Sequence, residues 1–262
     1  MRLDGFQHPK GLCYVSDKFN VIFVPIPKNA STSIRNIVGL EFQVDNIMRY
    51  SEKLSTREYM AFTIIREPIE RLISGYIEVC KRASGDSPHI LMKDFYWMKG
   101  KKRFMSFLDE IESGFFDAHI VPQEYFLCDY VGSPFMIDAY ISIKQLSTAI
   151  PVVLAKFGVH SSYGVPKLNV HGKEQRNGLP IGNRKKLDAS NVRRTLYYLM
   201  DYFVRRLQRK TVPTTAYVHK LISEDRELQV RIEKLVAKDI AFLDRIKQLT
   251  TSDQMGIYWR RT

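Results

Sequence analysis

The chain has 262 residues, 45% apolar and 26% charged, which suits one domain with a substantial core and excludes wholesale disorder. Lys and Arg number 40 against 28 Asp and Glu, a formal net charge of +12. Such a field favours an anionic partner: nucleic acid, a membrane surface, a polyanionic acceptor or a multiply charged nucleotide.

Cys13, Cys80 and Cys128 lie too far apart in sequence for a metal-ligand spacing. Their odd number argues against a disulfide framework and fits a reducing compartment. No apolar run approaches the roughly 20 residues needed to span a bilayer, and Met1 to Lys18 holds no stretch like a signal peptide. The chain as written reads as cytoplasmic.

The first predicted element is the run Asn20 to Pro25, β-branched and aromatic, a buried strand. A polar turn of small residues follows, Pro27-Lys28-Asn29-Ala30-Ser31-Thr32-Ser33, and Ile34 to Leu40 opens a helix. The pattern recurs: Ala61 to Ile65 is a strand that ends in Arg66-Glu67-Pro68, with Pro68 suited to a first helical turn. From Ile69 to Arg82 apolar residues recur at spacings of three and four, which predicts an amphipathic helix. Residues 83–100 read as a loop or lid and 101–113 as a helix. Asp138 to Ile143 is a third strand, with a helix over 145–157 behind it, and 159–182 is a loop. Two long helical patterns, 189–209 and 216–246, finish the chain around Pro213. Alternating strands and helices predict an α/β fold: a P-loop-like parallel sheet flanked by helices, with a helical C-terminal region, in a single domain.

Strand, small-residue turn, helix is an anion-binding arrangement, because successive backbone N–H groups converge on one point. Lys28 adds a point charge, and Ser31, Thr32 and Ser33 add hydroxyls. The nucleotide-kinase loop is excluded, since it needs G-x-x-x-x-G-K-[ST] and this turn has no glycine. The competing reading is an N-capping cluster. At the second turn Arg66 offers a fork suited to phosphate, with Ser74 two helical turns on. Glu67, Glu70 and Arg71 read as surface pairs at helical spacing.

Together the two motifs resemble those of sulfotransferases that use 3′-phosphoadenosine 5′-phosphosulfate (PAPS). Pro27 to Ser33 is similar to their 5′-phosphosulfate loop, in the P-K-x-A-S-T-S form of the Golgi carbohydrate enzymes. Arg66 to Tyr76 is similar to their 3′-phosphate motif. Phe116 to Pro122, with Leu127-Cys128, resembles an x-x-His-Trp-x-Pro segment in which Ile120 replaces the Trp. Ile232 to Phe242 resembles the closing helix, with Lys238-Asp239 in register. The resemblance spans about residues 20–245, and 177–222 stands as a family-atypical basic insertion.

The resemblance implies a metal-free transfer of a sulfuryl group to an acceptor hydroxyl, most simply of a saccharide. Pro27, Lys28, Asn29, Ala30, Ser31, Thr32 and Ser33 would hold the 5′ end, with Lys28 at the leaving group. Arg66 and Ser74 would hold the 3′-phosphate, joined by Lys173 and Arg176 from a late loop. His119 is the first candidate for general base; Asp117, Glu41 and His89 are alternatives. Residues 173–210 carry eleven basic side chains against three acidic ones, interleaved with aromatics. That stretch reads as a solvated helix, a face for an anionic acceptor or a homodimer contact. It also keeps open a different class, a nucleic-acid- or polyanion-binding protein, which would leave the two turn motifs unexplained.

Overall fold

The computed structural model describes residues 10–35, 37, 40–83, 98–114, 118–159, 212–253 and 255–261. The apolar runs that precede the two turns become neighbouring parallel strands. They are β2 (Val21–Val24) and β4 (Met60–Ile65), paired Val21 to Met60 and Val24 to Thr63. A third parallel strand, β5 (Ala139–Ser142), lies beyond β4. Around this parallel centre the sheet is antiparallel. On one side stand β1 (Leu12–Ser16) and β3 (Gln43–Asn46). On the other stand β7 (Ile257–Arg260) and β6 (Thr250–Ser252). The seven described strands run in the order β3-β1-β2-β4-β5-β7-β6. The sheet is thus mixed, with the expected parallel strands at its middle.

Both faces of that centre are covered, which is why its strands read as unbroken apolar runs. Ile22, Val24, Ala61, Ile65 and Tyr140 pack on one face against Phe242, Leu243 and Ile246 of the long helix α8 (Arg226–Leu249). Val21, Phe23, Phe62, Ile64, Ala139 and Ile141 pack on the other. There they meet Ile34 of α1 (Ser31–Arg35) and Leu146, Ile150 and Val153 of α6 (Leu146–Lys156). The connection between β3 and β4 includes a short helix α2 (Ser51–Ser55).

A third core forms beside the sheet. Leu72, Ile73, Tyr76 and Cys80 of α3 (Pro68–Ala83) meet Phe104 and Phe107 of α4 (Gly100–Glu112). Val218 of α7 (Thr215–Ser223) and Leu228, Ile232 and Val236 of α8 close it. The Tyr76 ring lies 4.8 Å from that of Phe104 and 5.0 Å from that of Phe107. Residues 118–127 bridge the two cores and end in the short helix α5 (Glu124–Leu127).

Several boundaries differ from expectation. The first helix begins at Ser31, three residues before Ile34, and its described part ends at Arg35. The single helix expected over 216–246 is two. Asp225 breaks it by accepting from Glu227 N (3.1 Å) and Leu228 N (3.2 Å) as the N-cap of α8. Arg71 is no surface residue: it is buried at 1% exposure within the third core's margin. Cys13, Cys80 and Cys128 are buried and unbridged, and burial pushes the thiols of Cys80 and Cys128 up to about 11. No helix among the described residues is long and apolar enough to cross a membrane. Lys173, Arg176, His89, Asp117 and most of the basic insertion lie outside the described residues.

Candidate active site

Because β2 and β4 are parallel neighbours in register, the turns that leave their C-terminal ends emerge side by side. That edge of an open α/β sheet is where ligands bind in this architecture. The first turn, Pro25 to Ala30, is not relaxed. Lys28 (φ 71°) and Ala30 (φ 59°) are both left-handed, although neither is glycine. Each such residue costs about 1–2 kcal/mol, so something must hold the turn.

Asn29, between them, is that support. It is fully buried, and its Nδ2 donates to Ile64 O (2.8 Å) at the end of β4 and to Gln123 Oε1 (2.8 Å). Asn29 N closes the turn on Ile26 O at 3.1 Å. The alternation of backbone hand at Lys28, Asn29 and Ala30 is the geometry of an anion nest. The first-turn N–H groups of Ser31, Thr32 and Ser33 follow it, and a helix start leaves such groups without partners inside the helix. In so short a described helix these local N–H groups and hydroxyls, more than any macrodipole, are what the turn offers to an anion.

Two cations flank the nest. Lys28 Nζ lies 2.7 Å from Glu78 Oε2 on α3, both side chains about one-fifth exposed. Arg66 donates from one guanidinium nitrogen to Lys28 O at 3.2 Å, and the other lies 3.8 Å from Glu70 Oε2. Burial pulls the Arg66 guanidinium below its ordinary value while Glu70 raises it. Such a partly desolvated cation gains more from a phosphate than a solvated one would. Glu70 is shared: His219 Nε2 of α7 lies 3.0 Å from its Oε1. Helix α3 thus supplies the carboxylate that faces each cation.

Gln123 ties the two turns together. Its Oε1 accepts from Asn29 Nδ2 and from Arg66 N (3.0 Å), and its Nε2 donates to Arg66 O (2.8 Å). Its backbone N donates to Asp239 Oδ1 on α8. Asp239 is itself buried, 3.9 Å from Arg71, and burial raises its carboxyl while Arg71 and the N–H donors pull it down. Arg71 in turn donates to Val121 O and Ala118 O. The segment that holds Gln123 is therefore clamped from both α3 and α8.

The same segment carries His119. A Cβ placed on Gly75 would stand 2.7 Å from His119 O and 2.8 Å from Ile120 Cγ2. Only glycine allows α3 and this turn to approach so closely, and the approach sets the His119 backbone one residue from Ser74 and one helical turn from Glu78. The structure therefore brings together the turns of Lys28 and Arg66 and sets the His119 backbone against α3 at Gly75, the neighbour of Ser74. Glu41 is not brought in: it pairs with Lys18 (3.1 Å), which precedes β2, at the opposite end of that strand.

Glu78, Gln123 and Asp239 as supports escaped the sequence reading. Glu78 follows Ser74 at helical spacing, and Asp239 interrupts an apolar stripe on α8; both were available signals. Gln123 gave none beyond its place after Pro122. Among the described residues no group of three or more His, Cys, Asp or Glu is placed to hold a metal ion.

A family model described as the sulfotransferase family matches residues 13–244. No curated protein and no solved structure matches the chain.

Proposed function

The chain belongs to the sulfotransferase family, and we propose that it moves the sulfuryl group of PAPS to a hydroxyl of a saccharide acceptor. The observation that supports this most is the pairing of two cationic turns at the ends of adjacent parallel strands, Lys28 in one and Arg66 in the other, joined through Asn29 and Gln123. A nucleotide phosphorylated at both 3′ and 5′ positions needs two such sites at a fixed separation. The strained, glycine-free turn fits a phosphate held by backbone N–H groups.

PAPS brings an activated sulfuryl group and departs as adenosine 3′,5′-bisphosphate. The residues then have separable tasks. The N–H groups and hydroxyls of Ser31, Thr32 and Ser33 bind the 5′-phosphate. Arg66 and Ser74 bind the 3′-phosphate, the group that separates this donor from ordinary adenine nucleotides. Lys28 exchanges its contact with Glu78 for the oxygen between phosphorus and sulfur, where negative charge grows as that bond breaks. An imidazole nitrogen of His119 accepts the proton of the attacking hydroxyl. Positioning and charge stabilisation carry most of the catalysis, as in phosphoryl transfer. The saccharide acceptor rests on the dialect of the first turn, P-K-x-A-S-T-S.

Calorimetric titration with adenosine 3′,5′-bisphosphate, AMP and ATP–Mg²⁺ tests the donor site. The bisphosphate binds without metal and more tightly than AMP. Arg66→Ala weakens it by about 10- to 100-fold, the worth of charged hydrogen bonds of about 1.5–3 kcal/mol. Equal affinity for bisphosphate and AMP would remove the basis of this assignment.

A further inference from the structure

The geometry points to Gln123 as the positioning residue that sets the spacing between the two phosphate subsites, and so the selectivity for a bisphosphorylated nucleotide. This rests on the donor-site reading above. Gln123 is fully buried and touches no solvent through which a ligand could reach it; it acts through the residues it holds.

The argument begins with the sheet. Parallel pairing of β2 and β4 sets the coarse separation of the two turns at one inter-strand step, about 4.8 Å. A turn is softer than a strand, however, and both phosphates of the ligand sit on one ribose, a few bonds apart, so covalent geometry confines their separation to a narrow range. The turns must match it. Beside two direct links, Asn29 Nδ2 to Ile64 O and an Arg66 guanidinium nitrogen to Lys28 O, the Gln123 side-chain amide joins them with its oxygen and its nitrogen both engaged. The oxygen accepts from Asn29 of the first turn and from Arg66 N of the second, and the nitrogen donates to Arg66 O. The second turn is thus held at both its N–H and its C=O, and the first through the buried amide lodged between two left-handed residues. The amide is itself anchored by its own backbone N–H on Asp239. Two binding groups on a rigid frame gain affinity for a two-headed ligand through effective concentration, and lose that gain when their separation drifts.

Selectivity, the ratio of the AMP to the bisphosphate dissociation constant, is therefore the quantity to read. It is measured by calorimetry on wild type, Gln123→Met and Gln123→Glu, with the fitted stoichiometry correcting for any unfolded fraction. Gln123→Met removes all three amide bonds in a side chain of similar length, and the ratio falls about tenfold or more toward that of two independent sites. Gln123→Glu keeps both acceptor contacts and loses the donation to Arg66 O, giving a smaller loss. That loss reverses at mildly acidic pH, where the introduced carboxyl is protonated and donates again. A merely structural role would lower the melting temperature and leave both the ratio and its pH response unchanged, and that result would overturn the proposal alone. A wild-type ratio near one would instead overturn the donor-site reading and this inference with it. If Gln123→Met does not fold, the pH response of Gln123→Glu decides.

Discussion

Gly75→Ala probes the contact that sets the turn of His119, the proposed base, against α3. Two opposing quantities set the outcome. Alanine is the better helix former in the interior of α3, by about 1 kcal/mol. Against that, the new methyl would sit 2.7 Å from His119 O and 2.8 Å from Ile120 Cγ2, where ordinary contact begins at 3.4 Å. The Ile120 methyl has some freedom, but a backbone carbonyl cannot rotate aside. The His119 turn must retreat by roughly 0.7 Å, the difference between those distances. It is not free to do so, because Arg71 holds Ala118 O and Val121 O on either side. Overpacking of this kind costs about 1–3 kcal/mol, so the net effect is destabilising by up to about 2 kcal/mol. For a chain of this size each kcal/mol lowers the melting temperature by about 2–4 °C. The displacement also reaches the chemistry: a misplacement near 1 Å costs about 100-fold, so transfer of labelled sulfate from PAPS to a screened saccharide acceptor falls at least tenfold. Affinity for adenosine 3′,5′-bisphosphate falls less than the transfer rate, since Gln123, four residues on from His119, keeps its own anchor on Asp239. The measurements are thermal unfolding, calorimetry and transfer rate, made on the same preparation. A variant more stable than wild type and equally active would refute the packing argument and the placement of His119 together.

Two further outcomes follow from buried and exposed carboxylates. Asp239→Ala removes the carboxylate that faces buried Arg71 and accepts from Gln123 N. Breaking one side of a buried pair costs about 3–5 kcal/mol, read as a lower urea midpoint, and nucleotide selectivity drops with it. A change under about 1 kcal/mol would show that the clamp contributes nothing. In acid, Asp45 and Glu112 lie below their ordinary values of 3.8 and 4.5. The Asn46 N–H lowers Asp45 first, and the Arg231 side chain lowers Glu112 first. Because the folded state binds these protons less tightly, their stabilisation is complete above the ordinary values and lost as pH falls through the depressed ones. Asp138 and Asp239, raised by burial, act with the opposite sign. The double variant Asp45→Asn, Glu112→Gln should therefore flatten the acid limb of a urea-midpoint profile; an unchanged limb would contradict the assignment.

The parts of the fold that the sequence revealed share a physical cause. Strands β2, β4 and β5 are covered on both faces, so their apolar runs are unbroken, and α3 shows its buried stripe at spacings of three and four. The strands that escaped are short or polar. Gln43-Val44-Asp45-Asn46 pairs at an edge with Val44 65% exposed, and Thr250-Thr251-Ser252 has one buried residue. Nothing in such a stretch distinguishes a strand from a loop until its partner is known. The outermost strands β3 and β6 were lost for that reason, whereas β1 and β7, no shorter than β5 and largely apolar, were missed although Leu12-Cys13-Tyr14-Val15 and Ile257-Tyr258-Trp259 carried a signal. Arg71 was misread because a charged residue at helical spacing is ordinarily solvated, and its burial is explained by distant partners, the carbonyls of residues 118 and 121 and the carboxylate of Asp239. The two turn motifs were legible because they are local in sequence. What holds them was not, since Gln123 stands 94 positions from Asn29 and Asp239 another 116 beyond.

Those separations have a consequence for the order in which the molecule comes into being. The nest around Lys28 is among the first parts of the chain to be synthesised, yet its props arrive about 210 residues later. At about 5–20 residues per second, that is a delay of roughly 10–40 s. The central strand β5 waits in its turn for β7, made from residues 257–260, with Ala139 pairing to Trp259 about 120 residues on. Until then two left-handed residues have little to hold them, and contacts of such long range also close slowly. Nascent chains that end before Asp239 would carry every residue of both motifs and still bind nucleotide poorly. On the proposed donor-site reading, retention on immobilised adenosine 3′,5′-bisphosphate is then a clock for folding, because it records the arrival of Asp239 on α8.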